Sequence, residues 1–317
     1  MSEPPCPDAG RIVISGLCKN FGRVRAVRDL SFTVEPGTVT GFLGPNGAGK
    51  TSTLRVLVGL AAPSAGSATI GGLPYARITD PGRVVGAVLE ASGFHPGRSG
   101  LDHLRVYCAA QGLPDRRAPE VLALVGLSND ARRLVGGYSL GMRQRLSLAT
   151  ALLGDPRVLI LDEPANGLDP EGIRWLRQLL RHLAGVEGRT VLISSHVLAE
   201  VEQTVDRVVL IAGGQLVGEG SLPELRSSRG APVIVRTPTP DALAAAVAPL
   251  GARLRAGAGG SLEVTGAGSD AVGHAAWAAS VELHELRPGT STLEQIFFEL
   301  TADGGAAYPP PPPPVTP

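Results

Sequence analysis

From Arg11 to about Arg226 the chain alternates short apolar runs with stretches of helical period. Ile12–Leu17, Leu30–Val34, Val39–Leu43, Val84–Leu89, Val158–Leu161, Thr190–Ile193 and Val208–Ile211 each read as a strand. The alternation predicts an α/β domain. Between Ser99 and Leu153 the strand pattern stops and three helical stretches follow one another. A helical insertion over about residues 91–157 is therefore expected inside the α/β domain.

The pattern changes again at residues 227–232, a run of Ser, Arg, Gly, Ala and Pro. Beyond it the chain reads as strand (Val233–Arg236), helix (Asp241–Leu250) and two strands near Ala252–Arg255 and Leu262–Thr265. A helix (Asp270–Ala279) and a strand (Val281–Leu286) follow, giving the β-α-β-β-α-β order of a ferredoxin-like unit. A last helix, Leu293–Leu300, precedes the prolines 309–314, which predict a solvated polyproline II tail. The expected division is an extension (1–10), an α/β domain (11–226), an accessory domain (227–302) and a Pro-rich tail (303–317).

Composition narrows the class. At 317 residues, 43% hydrophobic and 18% charged, the chain can build a sizeable core and is not wholly disordered. Lys plus Arg and Asp plus Glu are each 29, so phosphate neutralisation over a large basic surface is excluded and no nucleic-acid partner is expected. Cys6, Cys18 and Cys108 are too few and too scattered for a disulfide framework or a Cys-rich zinc site. The first residues lack a basic segment followed by an apolar one, so no secretory signal is expected. No uncharged apolar run approaches the roughly 20 residues that span a bilayer. The only lysines are Lys19 and Lys50, against 27 arginines, and Asn occurs only at positions 20, 46, 129 and 166. Where this skew is broken, chemistry is one reason to look for.

Gly44-Pro-Asn-Gly-Ala-Gly-Lys-Thr51 follows an apolar strand and opens a helix, the context in which GxxxxGK[ST] cradles phosphates. Gly44, Gly47 and Gly49 let the backbone curl so that successive N–H groups point inward, and the helix N-terminus adds partial positive charge. Lys50 supplies a mobile cation for the β- and γ-phosphates, and Thr51 a hydroxyl for Mg²⁺. The run Val158–Leu161 then ends in Asp162 and Glu163. Carboxylates at the end of a buried strand are costly unless they meet a cation. Asp162 is suited to hold Mg²⁺, and Glu163 to act as general base on water.

With Tyr138-Ser-Leu-Gly-Met-Arg-Gln-Arg145 lying between these two motifs, the chain resembles the nucleotide-binding subunits of ATP-binding-cassette (ABC) transporters. Ser139 can cap the helix that follows, making a second anion site with Gly141. The resemblance implies a P-loop NTPase fold, a mixed-sheet α/β cassette with a helical subdomain. It implies ATP held by Gly44, Pro45, Asn46, Gly47, Ala48, Gly49, Lys50, Thr51 and Ser52. It also implies Phe21 against adenine and His196 at the γ-phosphate. Ser139, Gly141 and Asp169 would serve the ATP of an opposed copy, in a head-to-tail homodimer. The metal set it implies is Thr51, Asp162 and Glu90, the last standing where the family usually has glutamine. Slower or differently tuned hydrolysis is expected from that extra carboxylate. Leu140 and Met142 also depart from the common Leu-Ser-Gly-Gly-Gln signature, in a variant similar to that of drug and antibiotic exporters.

The implied activity is ATP hydrolysis driving export of a small molecule through separately encoded transmembrane permease subunits. The residues from Ser92 to Ser99 would meet the permease, and the membrane would be reached only through it, at the cytoplasmic face of a bacterial cell. Thr292–Thr301 also resembles the end of such export ATPases. A ribosome-associated ABC factor would carry two cassettes and a basic linker, whereas one phosphate loop and one signature are found. A chromosome-type ABC ATPase would separate its motifs by long coiled coils, which the interval from Lys50 to Asp162 does not contain. A weakly hydrolysing regulatory cassette is the remaining alternative. Phe21 as plain core filling is the alternative at that position.

Overall fold

The computed structural model describes residues 10–89, 93–228, 232–289 and 292–303. The expected N-terminal extension, the Pro-rich tail, Glu90 and Ser92 lie wholly or almost wholly outside these. Two compact units divide between Glu219 and Gly220, ahead of the expected boundary at Arg226.

In the first unit, β1 (Ile12–Phe21), β2 (Val24–Val34), β3 (Val39–Leu43), α1 (Lys50–Leu57) and β4 (Ala65–Ile70) come first. Then follow α2 (Pro81–Val84), β5 (Val85–Val88), α3 (Gly100–Ala110), α4 (Arg117–Leu124), α5 (Leu140–Leu152) and β6 (Val158–Leu161). Then come α6 (Pro170–Gly185), β7 (Thr190–Ser195), α7 (Leu198–Val201), β8 (Arg207–Ala212) and β9 (Gln215–Ser221), within which the unit ends. β2-β1-β4 form an antiparallel sheet, and β5-β6-β7-β3-β8-β9 form a second sheet of six strands. The strands β5, β6, β7, β3 and β8 pair in parallel, and β3, β6 and β7 are buried along their length. Strands buried along both faces are what a parallel sheet covered on each side requires.

One core joins the two sheets through α1. Ile12, Ile14, Leu17, Phe32, Leu54, Leu57, Ile160 and Leu192 belong to it. Fully burying each such side chain stabilises by about 1.5–3 kcal/mol, against a chain-ordering cost of similar total size. On the other side, α6 buries Leu176, Leu179, Leu180 and Leu183, at the 3–4 residue spacing of one helix face. Asp169 starts this helix by accepting from Gly172 N–H at 2.7 Å, with Pro170 following as a residue that needs no N–H partner.

The helical insertion is α3, α4 and α5. Ser99 caps α3 through Asp102 N–H and Ser139 caps α5 through Met142 N–H. At two points the insertion meets β5 and α2 backbone to backbone. A Cβ at Gly86 would overlap Ala151 O, and one at Gly154 would overlap Gly82 O.

The second unit contains α8 (Leu222–Ser228), β10 (Val233–Arg236), α9 (Pro240–Val247), β11 (Arg253–Ala256), β12 (Leu262–Thr265), α10 (Ser269–Ala278), β13 (Glu285–Pro288) and α11 (Leu293–Asp303). Its antiparallel sheet has the order β11-β12-β10-β13. With β10 counted as the first strand, this is the interleaved order of the ferredoxin-like motif, as the sequence predicts. Val233, Val235 and Val264 face Leu243, Val247, Val272 and Ala276 of the two helices in one core.

Candidate active site

The parallel register aligns Leu43 with Ser195, and Leu161 with Ile193. The C-terminal ends of β3, β6 and β7 therefore open on one edge, where α/β sheets bind ligands. β3 leads into Gly44, whose N–H donates to Ser195 O at 3.3 Å. A Cβ at Gly44 would collide with Ile211 O, and one at Gly49 (φ 102°) would sit 2.5 Å from Ala26 O. The loop runs against β8 and β2 at distances that only glycine allows. Gly47 (φ 80°) has no atom near its Cβ direction, and it and Asn46 are exposed, whereas Ala48 is buried and Pro45 half-buried.

Lys50 opens α1 with only 6% of its surface exposed. Its Nζ donates to Gly44 O at 2.7 Å and Pro45 O at 3.2 Å, and lies 3.5 Å from Glu163 Oε1. Burial pushes the Lys50 ammonium down from its ordinary range, while Glu163 and then Asp162 push it back up. One residue on, Thr51 Oγ1 donates to Asp162 Oδ2 at 2.7 Å. Ser52, half-buried, follows on the same helix.

Glu163 has a left-handed backbone, φ 49°. Its N–H donates to Ser194 Oγ at 2.9 Å, and Ser194 in turn donates to Asp162 Oδ1. Glu163 Oε2 lies 2.8 Å from His196 Nδ1. The structure thus brings Lys50, Thr51, Asp162, Glu163 and His196 together.

Ser139, Gly141 and Asp169 form a second cluster. Leu140 and Gly167 are in contact, a Cβ on Gly141 would meet Leu168 at 3.5 Å, and Gln144 Nε2 donates to Pro164 O at 3.0 Å. Phe21 ends β1 at the hairpin, 50% exposed, with Lys19 Nζ 4.8 Å from its ring centroid. Core filling is therefore corrected at this position, because Phe21 lies beyond the strand residues that face the core. Glu90 lies outside the described residues, so the third expected metal ligand has no geometry here.

Two polar residues were missed by sequence reasoning. Gln144 is buried and ties α5 to the turn after Glu163. Ser194 is fully buried, directly after the apolar run Val191–Ile193 of β7. The signal available was that a hydroxyl there is costly unless hydrogen-bonded.

The Thr51 hydroxyl and Asp162 carboxylate are hard oxygen donors of the kind Mg²⁺ takes, one or two from protein with the rest from phosphate and water. Among the described residues no group of three or more His, Cys, Asp or Glu could hold a metal ion.

Residues 27–166 match the family model described as "ABC transporter". The bacitracin transport ATP-binding protein of Bacillus licheniformis is 42% identical over 210 residues, 66% of this chain and 69% of that protein. This chain belongs to the ABC transporter ATP-binding family. A lantibiotic transport ATP-binding protein of Streptococcus pyogenes is 36% identical over 206 residues, 65% of this chain and 89% of that protein. Among solved structures, the ATP-binding subunit of an ABC transporter superposes with a TM-score of 0.62 at 28% identity, over 68% of this chain and 92% of its own. The ABC cassette fold, ATP binding and ATPase activity expected from the sequence therefore hold. Residues 231–294 match a family described only as a domain of unknown function. Among the described residues no helix is long and apolar enough to cross a membrane.

Proposed function

We propose that this ABC ATPase binds MgATP at the edge where β3, β6 and β7 end, and spends its hydrolysis on export through separate membrane subunits. The observation that carries the reading is the convergence of one cation, one hydroxyl, two carboxylates and one imidazole on the glycine loop.

The Gly44–Thr51 backbone would take the phosphates, with Lys50 trading its carbonyl partners for phosphate oxygens. Ser52 would extend that contact along the first turn of α1, and Phe21 would offer its exposed ring to adenine. Thr51 and Asp162 would hold Mg²⁺, which when bound neutralises developing phosphate charge. Glu163 would accept a proton from the attacking water, its carboxylate oriented by Lys50 on one oxygen and His196 on the other. His196 lies partly exposed beside Glu163, free to reach a γ-phosphate. Ser139, Gly141 and Asp169 would complete the site of a second copy, since the Ser139 cap leaves a helix N-terminus facing outward.

Relatives named for bacitracin and lantibiotic transport support an antibiotic or similar small molecule as cargo, and a membrane permease as partner. The location this gives is the cytoplasmic face of a bacterial membrane. Two variants test the reading. Lys50→Ala should abolish ATP turnover, and Glu163→Gln should stop hydrolysis while accumulating an ATP-bound dimer on a sizing column. Wild-type turnover in both would overturn it. Affinity purification from solubilised membranes should bring down a permease, and recovery of the ATPase alone would remove the transport assignment.

A further inference from the structure

We propose that Ser194 is a positioning residue whose single hydroxyl fixes Asp162 and Glu163 on the same side of the site. The inference rests on the ATP-site reading above.

Asp162 and Glu163 are consecutive, and consecutive side chains on an extended strand point to opposite faces. Both are needed at one edge. The conflict is resolved at Glu163, where the backbone turns into the left-handed region at φ 49°. A non-glycine residue does not hold that conformation without support. Its backbone is held on one side by Asn166 N–H, which donates to Glu163 O at 3.1 Å, and on the other by its own N–H, which donates to Ser194 Oγ at 2.9 Å. The same oxygen carries the proton donated to Asp162 Oδ1, leaving Asp162 Oδ2 to accept from Thr51. A hydroxyl has one donor and spare lone pairs, so it can serve an amide and a carboxylate at once. Alanine can serve neither, and isosteric cysteine serves both weakly.

Burial and position strengthen the argument. Ser194 is 0% exposed, so no water replaces the bond when the hydroxyl is removed. Its two successors touch other parts of the site. Ser195 O accepts from Gly44 N–H at the start of the phosphate loop, and His196 Nδ1 meets Glu163. Three consecutive residues at the end of β7 thus contact the phosphate loop and both acids. A displacement of His196 along this strand end would be transmitted through Ser194 to Asp162 and Glu163 together.

The test uses the full chain with Ser194→Ala, Ser194→Cys and Ser194→Thr. Calorimetric titration of ATP in chelator should give affinities within about twofold of wild type for all three, which also reports that each is folded. The gain in ATP affinity on adding Mg²⁺ should shrink several-fold in Ala and Cys. Their kcat should fall about tenfold or more with KM for ATP little changed, as expected when a hydrogen bond to a charged group is lost. Thr, which keeps the hydroxyl, should restore most of both. An undiminished Mg²⁺ gain with kcat within about twofold in Ala and Cys would overturn the proposal. So would a Thr variant as impaired as Ala despite normal chelator-state binding. Glu163→Gln is measured alongside. If it retains turnover, the assignment of Glu163 fails; if it loses turnover and Ser194→Ala does not, only the present inference fails.

Discussion

The side chain of Leu140 occupies the space that a Cβ on Gly167 would need. Leu140 begins α5, immediately after the Ser139 cap, and Gly167 lies four residues past Glu163. The two halves of the second cluster are therefore interlocked within one chain. Gly167 also has φ 79°, where an L-residue is strained. Gly167→Ala should destabilise the protein by about 1–2 kcal/mol and lower turnover by displacing Leu140. Thermal melting and ATPase assays check both, and a variant equal to wild type in both would refute the coupling.

Thr51 and Asp162 share one hydrogen bond and one proposed metal. Thr51→Ala and Asp162→Asn should each raise the Mg²⁺ concentration needed for half-maximal turnover. Because they act as a unit, the double variant should lose little more than the worse single. Full additivity in a double-mutant cycle would show that they act separately.

Phe21 is held outside the core with one face against Lys19. Base–aromatic stacking contributes about 1–3 kcal/mol, so Phe21→Ala should raise KM for ATP about tenfold with little change in kcat. Phe21→Tyr, which keeps the π face, should be near neutral. An unchanged KM in the alanine variant would remove Phe21 from the adenine site.

His103 is 4% exposed on α3, between the rings of Phe94 and Tyr107, and its Nε2 lies 3.3 Å from Thr150 Oγ1. Burial first, and the Arg98 charge second, bring its pKa down to about 4 from an ordinary 6.5. The unfolded chain therefore takes up a proton that the folded chain refuses in this interval. The stability from the neutral ring is fully present above pH 6.5 and is lost as pH falls to about 4. The loss totals about 3 kcal/mol. In denaturant titrations, His103→Gln should flatten this part of the stability curve, and an unaltered slope would contradict it.

The buried strands β3, β6 and β7 were legible because each is built on a short, mostly apolar run, and the phosphate loop because its spacing leaves few other structures open. β4 and β9 were not. Ala65–Ile70 and Gln215–Ser221 contain Gly and Ser and bury little, so they carry almost no periodic signal. They are strands because β1 and β8 offer them pairing edges. β1 and β2 were cut short for a related reason, since their hairpin ends extend past the core and are held by pairing of Phe21 with Val24. At the site, residue types and spacing pointed to Lys50, Thr51, Asp162 and Glu163, and the family resemblance to His196. Ser194 escaped because its importance is set by a neighbour 31 and 32 residues away in sequence.

Where the helical insertion meets β5 and α2, Gly86 lies against the Ala151 carbonyl and Gly154 against the Gly82 carbonyl. At these two points backbone lies directly on backbone, so they cannot adjust through the gradual resizing of core residues that lets other helix–sheet contacts diverge. These contacts change only when a glycine is lost, and then abruptly. The insertion can thus vary freely over its outer surface, where any partner would be recognised, while its attachment to the sheet edge stays fixed.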